Sequence, residues 1–471
     1  MPSSSSSFAL LKKESRAKTG NVADVYKILT KNTFAKNTFD DLPPELLKKV
    51  LEKYKGLLTY ELRDWIPQHK LNYDVLSENH NAIDFLILRR NQKYINYHRL
   101  SGNTNPKVVE LLKERILKER VMTRDEYIIN LKNKKNIDWF SVSNNTILIE
   151  ILNDKDNIDK LKWSKLSANP EAFDILLANK SSIDFDELSA NLSARAIKYL
   201  SLPENQDNIS WAYLSKNPTR DALKLLSLPV NYDKIEWEEL SGNTNRYAIQ
   251  LLKSKWEEEK RLLETEDGIE EYIRLKDRNE VIVWNKVCRN HSAIDLLRTK
   301  IREEKETSMD EYFQYIDSEE IDWRIDWSIL SGNKGAIRLL RKKIAEENKL
   351  SDDEYNRLEE YEKIDWAVLC GNISPEAIDL LKDRLRRKPS DIDWEVLSGS
   401  LNPRAIELLD ANQDKIFWGA FSSNTSARAM ELLKDRVLLE ERLEKEGKLS
   451  VSKKNISWIG LSRNPSIFTI T

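Results

Sequence analysis

The chain has 471 residues, 33% charged and 40% hydrophobic, and its 76 basic and 78 acidic side chains leave a net charge of −2. That balance excludes a bulk electrostatic drive toward nucleic acid or membrane, and no apolar run approaches the roughly 20 residues of a membrane span. The start, "MPSSSSSFALLKKESRAK", lacks the long apolar core of a secretion signal, so a soluble intracellular protein is expected.

Residues 1–40 hold a serine run and seven Lys/Arg against three Asp/Glu. They predict a flexible basic arm whose Lys12, Lys13, Arg16 and Lys18 are candidate contacts with a partner. Nucleic acid is expected as a partner only through this arm. "DDLPPELLKKVLEKY", from Asp40 to Tyr54, places proline ahead of an amphipathic run and predicts a helix. Residues 41–70 are then a helical N-terminal cap.

From Tyr73 onward one pattern recurs, as in "IDWAVLCGNISPEAIDLL" from Ile364 and "LKWSKLSANPEAFDILL" from Leu161. Thirteen copies can be aligned on an aromatic at Tyr73, Tyr97, Trp139, Trp163, Phe185, Trp211, Trp237, Trp284, Trp327, Trp366, Trp394, Trp418 and Trp458. Repetition at this period signals a solenoid, whose units bury their apolar faces only by stacking. The stretch "IDWRIDW" fixes the phase. Trp327 is followed by Leu330, Ser331 and Asn333 as the pattern requires, whereas Trp323 has Asp326 where the leucine belongs. Trp327→Ala is therefore expected to cost roughly 3–5 kcal/mol, and Trp323→Ala clearly less.

A single copy, "IDWEVLSGSLNPRAIELL" from Ile392, reads as two helices. Asp393 suits an N-cap, and Ile392 with Leu397 a hydrophobic staple; in another copy Asp184 and Glu187 have capping-box spacing. Five copies follow the serine position with Gly102, Gly242, Gly332, Gly371 or Gly399, which suggests a left-handed helix end. Asn stands two residues after the serine position in twelve copies, Ser400 being the exception. Asn169 before Pro170 reads as the cap of the second helix. In the longer "SGNTNPKVVELL", Asn103 is expected instead to bond loop backbone, in a neighbouring copy. Cys288 and Cys370 replace the serine, a packing position, and fit a reducing compartment. His69, His80, His98 and His291 have no ligand spacing.

Seven intervals between aromatics are 22 to 28 residues and five are 39 to 47. The longer ones carry charged inserts near 113–136, 253–281, 298–323, 341–363 and 432–455, predicted as an elongated second helix, a turn and an added helix. TRDE, SMDE and SDDE, at Thr123, Ser308 and Ser351, are capping-box starts for the added helices. Inserts grouped on one face of a solenoid often form its binding surface. The whole of 71–471 is thus expected to be an all-α solenoid without a sheet, with every aligned aromatic buried. The last copy is cut short after Pro465, so Ile467, Phe468 and Ile470 are expected to be exposed and to contact another protein.

The pattern W-x-x-L-S-x-N-P-x-A-I-x-L-L, entered through "LRDWIPQHKLNYDVLSENHNAIDFL" and ended with "NPSIF", resembles the tandem-repeat proteins of giant nucleocytoplasmic large DNA viruses. The resemblance covers residues 62–471, and the charged inserts depart from the family's plain array. It implies a viral origin. Separately, "LPPELLKKVL", Leu42 to Leu51, looks like the opening of an F-box. No Walker A, Rossmann, HExxH or GxSxG pattern is present, so no catalytic, cofactor-binding or metal residue is assigned and no cofactor is expected. The function expected is a non-enzymatic scaffold, a minor capsid or other virion-associated protein. Its partners would be capsid or virion subunits, and it would reside in the virion and, during assembly, the host cytoplasm. The alternative is a host-directed adaptor that joins an F-box-like start to a target-holding array.

Overall fold

In a computed structural model, which describes residues 58–306, 324–449 and 455–470, the aligned aromatic opens a short helix in all thirteen copies, from Tyr73–Leu76 to Trp458–Arg463. The residue before it is extended and caps the helix. Asp138, Asp184, Asp326, Asp365 and Asp393 each accept a first-turn amide on a side-chain oxygen. A second helix follows, such as Ala194–Leu200 or Arg220–Leu226, and then, in most short copies, a 3₁₀ turn such as Pro203–Asn208 or Pro229–Lys234. The architecture is an all-α helical repeat. Lys12, Lys13, Arg16, Lys18, the predicted helix of 41–54, the Ser308 capping box and Trp323 lie outside the described residues.

The described chain divides into two units, residues 58–137 with 465–470 and residues 138–464. The first contains the one departure from all-helical structure. Tyr60–Leu62 (β1) pairs antiparallel with Phe468–Ile470 (β2), aligning Leu62 with Phe468 and Tyr60 with Ile470. The expectation of no sheet is therefore corrected, as is that of a wholly helical cap over 41–70. The reason is local: Asp84 accepts the Tyr60 amide at 3.0 Å and the Lys107 ammonium at 2.6 Å, and that ammonium also donates to the Leu58 carbonyl. Held extended in this way, residues 58–62 offer a free edge that β2 fills.

The second unit shows how copies are joined. The repeated serine makes two hydrogen bonds. Its hydroxyl donates back to the aromatic carbonyl four residues earlier, as Ser189 does to Phe185 at 2.8 Å. It also accepts the amide of the cap residue in the next copy. Ser143 accepts from Lys162, Ser167 from Asp184, Ser189 from Ser210, Ser215 from Glu236 and Ser398 from Phe417, all at 2.9–3.1 Å. Cys370 receives the Asp393 amide in the same way, and burial pushes its thiol up to about 12. Both cysteines are free and buried.

The repeated asparagine works in the opposite direction, toward the preceding copy. Asn217 donates through Nδ2 to the carbonyls of Ser189 and Asn191, both at 3.0 Å, while its Oδ1 accepts from Thr219. Asn243 and Asn290 do the same one and two copies on. In the first unit Asn103 reaches Ser77 and Asn79, the neighbouring-copy backbone contact expected of it. Where Ser400 replaces the asparagine, Asn402 donates instead, to Asn372 and Ser374. Asn169 joins this ladder, so its reading as a helix cap is corrected: it donates to Ser143, and the second helix begins only at Phe173.

Three smaller expectations change. Gly242 and Gly371 end their helices in right-handed conformation, with φ of −84° and −83°. What smallness serves there is proximity, since a Cβ on Gly332 would lie 3.1 Å from the Val368 side chain in the next copy. Glu187 pairs with Lys165 at 2.7 Å and leaves Asp184 to cap alone. Only Trp237, Trp284, Trp366 and Trp418 of the aligned aromatics are buried. Their copies have long second helices, Arg246–Leu262, Ile294–Glu306, Ala377–Arg387 and Ala427–Lys445, but length alone does not enclose the ring, since Tyr97 and Trp327 stay partly exposed beside Val108–Arg120 and Ile337–Glu347. Trp327 remains partly exposed beneath Lys343. Its truncation is now expected to cost about 2 kcal/mol, below the range for fully enclosed aromatics. A urea-melt value of about 4 kcal/mol or more would contradict this.

Candidate functional site

The expected apolar end is not free. Ile467 is fully buried and Phe468 is 4% exposed, with its ring centroid 6.1 Å from that of Phe85. Ile470 lies in β2 beside Tyr60 and is partly covered. The Arg63 amide donates to the Ile467 carbonyl, and Arg63 Nε to that of Ser466. Asn81 donates to the Pro465 carbonyl, as Asn245 does to Pro218 in the preceding copy of the second unit. Residues 465–470 thus meet the Tyr73 copy through the same kind of bond that joins consecutive copies. The premise that made Ile467, Phe468 and Ile470 an exposed contact surface is corrected. The chain's own β1 covers them because β-pairing and apolar burial act together.

The five copies that carry an insert share one arrangement, largely enclosed. A cation 16 or 18 residues after the aromatic lies across that ring, and a glutamate four residues further on accepts an amide at the entry to the next copy. The cations over rings are Arg115 on Tyr97, Lys255 on Trp237, Lys300 on Trp284, Lys343 on Trp327 and Arg436 on Trp418, at 5.0–5.5 Å from the centroid. Glu119, Glu259, Glu304, Glu347 and Glu440 accept from Ile137, Ile282, Ile325, Ile364 and Ile456 at 2.8–3.2 Å. Short copies satisfy this point differently. Their 3₁₀ turn carries a buried asparagine, such as Asn205 or Asn231, that donates back to the second helix at 2.8 Å. Each glutamate therefore does locally what a compact turn does elsewhere. It fixes where the next copy starts after a long excursion.

Burial governs the protonation of Glu259, Glu304, Glu347 and Lys300. Glu259, with no exposed surface, is pushed up to about 7 by desolvation, and Lys300 is pulled down to about 8 by the same cause. Glu304 and Glu347 are also raised by desolvation, even though Lys300 lies 3.5 Å from Glu304; removal from water outweighs pairing. A carboxyl whose folded value is raised holds its proton more tightly when folded. Its stabilising contribution is complete below the ordinary 4.5 and is lost as pH rises through about 7. The stability of the second unit is expected to fall between about pH 5 and about pH 8, with roughly 3 kcal/mol of the fall due to Glu259. Glu259→Gln keeps an acceptor for the Ile282 amide and should flatten that part of the profile. Urea melts at the two pH values check both; identical slopes in the two proteins would contradict the assignment.

The insert helices differ in what they leave exposed. The first pair, Val108–Arg120 and Arg124–Lys132, turns Leu117, Val121, Tyr127, Ile128, Ile129 and Leu131 to solvent, with Val121 82% and Ile129 58% exposed. The Arg124–Lys132 helix has no buried residue and stands on the predicted capping box of Thr123 and Glu126. In the second insert, by contrast, Tyr272 on Glu266–Asp277 is buried. The capping box of Ser351 and Glu354 is also formed. Among the described residues no group of three or more His, Cys, Asp or Glu is placed to hold a metal ion. No helix among them is long and apolar enough to cross a membrane. No family model, curated protein or solved structure matches the chain.

Proposed function

We propose that this protein is a non-enzymatic scaffold that binds other proteins, and that the assembly it serves is a virus particle, as a minor capsid or other virion-associated component. One observation carries the binding part: six large apolar side chains stand exposed on the first insert of a chain that is one-third charged. An apolar patch of this kind, largely on a capped helix with no buried residue, suits a protein contact. The repeated positions support the non-enzymatic part, because their polar atoms are committed to backbone bonds between copies. The viral part rests on the repeat signature alone. The contact surface moves from the chain's end to the first insert.

Photo-crosslinking from residues 121 and 129 in infected cells, with mass spectrometry of purified particles, tests this reading. Enrichment in particles, with crosslinks to another particle protein that vanish in an Ile129→Glu/Leu131→Glu variant, supports it. Absence from particles, or crosslinks to a ubiquitin-ligase subunit, would replace it with the adaptor reading.

A further inference from the structure

A second surface, on a different part of the array, has its own chemistry. Between the helices Ile294–Glu306 and Ile337–Glu347 lies a depression of about 710 Å³. It is lined by the partly exposed Trp327 and the largely buried Ile301 and Leu339, with Arg302, Arg338 and Lys342 outnumbering the exposed Glu306 around it. These three cations are exposed, and none has an ion-pair partner among the described residues. Nearby cations are committed: Lys305 holds both oxygens of Glu346 at 2.7 and 2.8 Å, and Lys343 lies across the Trp327 ring. On a chain with a net charge of −2, this is a local concentration of positive charge that the described residues leave uncommitted.

We propose that this groove binds a short acidic peptide segment of a partner protein, one carrying an apolar side chain between two carboxylates. Charge complementarity selects the class: two guanidinium groups, one on each helix, can each match a carboxylate in bidentate fashion. The partly exposed Trp327 argues for an apolar side chain between them. Phosphate-rich ligands fit less well, because they would leave the exposed edge of Trp327 without an apolar counterpart. A nucleic-acid base is also disfavoured, since Lys343 occupies the Trp327 face on which it would stack. The volume is that of a small-ligand pocket, enough for a few residues. This groove is separate from the apolar surface of the first insert, so the proposal stands whichever assembly the protein serves.

The test uses the full chain and a fluorescein-labelled decapeptide in which leucines alternate with Asp-Glu pairs. Single-stranded oligonucleotide and inositol hexakisphosphate serve as competing polyanions. Saturable peptide binding is expected, weakened at least about tenfold by Arg302→Glu/Arg338→Glu and weakened by added salt. The milder Lys342→Ala should weaken it several-fold, and Arg261→Glu, on a different helix, should leave it unchanged. Circular dichroism confirms that each variant is folded, and the single Lys342 change keeps the test valid if the double reversal is not. Peptide binding that survives the reversals overturns the proposal. So does binding of the oligonucleotide or the inositol phosphate in preference to the peptide.

Discussion

Phe468→Asp is expected to destabilise the first unit by at least about 5 kcal/mol while leaving the mass in solution unchanged. Truncating an enclosed phenylalanine alone costs roughly 3–5 kcal/mol, and a carboxylate in its place adds the penalty of an uncompensated buried charge. Phe468 has no room to turn outward: it is paired with Leu62 across β1 and β2 and faces Phe85. A loss of this size is comparable with the whole stability of many domains. The Tyr60–Arg63 amides should therefore lose protection from exchange together with those of residues 468–470. Urea melts and light scattering on the intact chain separate the alternatives. If the variant melts like the parent but its assembly state changes, the tail is an intermolecular surface after all.

Asn217→Ala is expected to cost about 3–5 kcal/mol although it removes no apolar contact. The side chain is 2% exposed and satisfies three backbone groups, the carbonyls of Ser189 and Asn191 and the amide of Thr219. Each buried group left without a partner costs roughly 1–3 kcal/mol. Asn217→Asp is the sharper comparison. It keeps an acceptor for Thr219 but turns a negative oxygen toward two carbonyls, so it should be worse than alanine. A denaturation series in which aspartate is tolerated better than alanine would show that the asparagine is only a local turn former.

Much of this was legible before any coordinates, and the reasons are physical. The aromatic, leucine and asparagine recur with fixed spacing because each copy meets its neighbour in the same way, so the helix starts and the role of Asn103 could be read from one copy and transferred. The serine was harder. A small residue at a packed position looks the same whether it merely fills space or, as with Ser189, bonds in two directions. Glu259 and its equivalents lie within the charged inserts, where sequence alone gives no reason to expect a buried carboxyl. Their signal was present in the common spacing from aromatic to cation to glutamate, but only burial distinguishes them from surface pairs. The pairing of Phe468 with Leu62 joins residues about 400 apart in sequence, and no periodicity reports such a contact.

Within each unit the repeated serine and asparagine lock a copy to its neighbour, while the inserts stand outside that ladder. Amide hydrogen exchange on the intact chain is the measurement that bears on this lock. The amides of Lys162, Asp184, Ser210, Glu236 and Phe417 precede short helices, where first-turn amides ordinarily exchange fast, yet each is held by the serine of the preceding copy. They should exchange at least about a thousandfold more slowly than free amides, equivalent to roughly 4 kcal/mol of opening free energy, while the Arg124–Lys132 insert helix exchanges much faster. Equal exchange at the serine-held amides and the insert helix would contradict the claim.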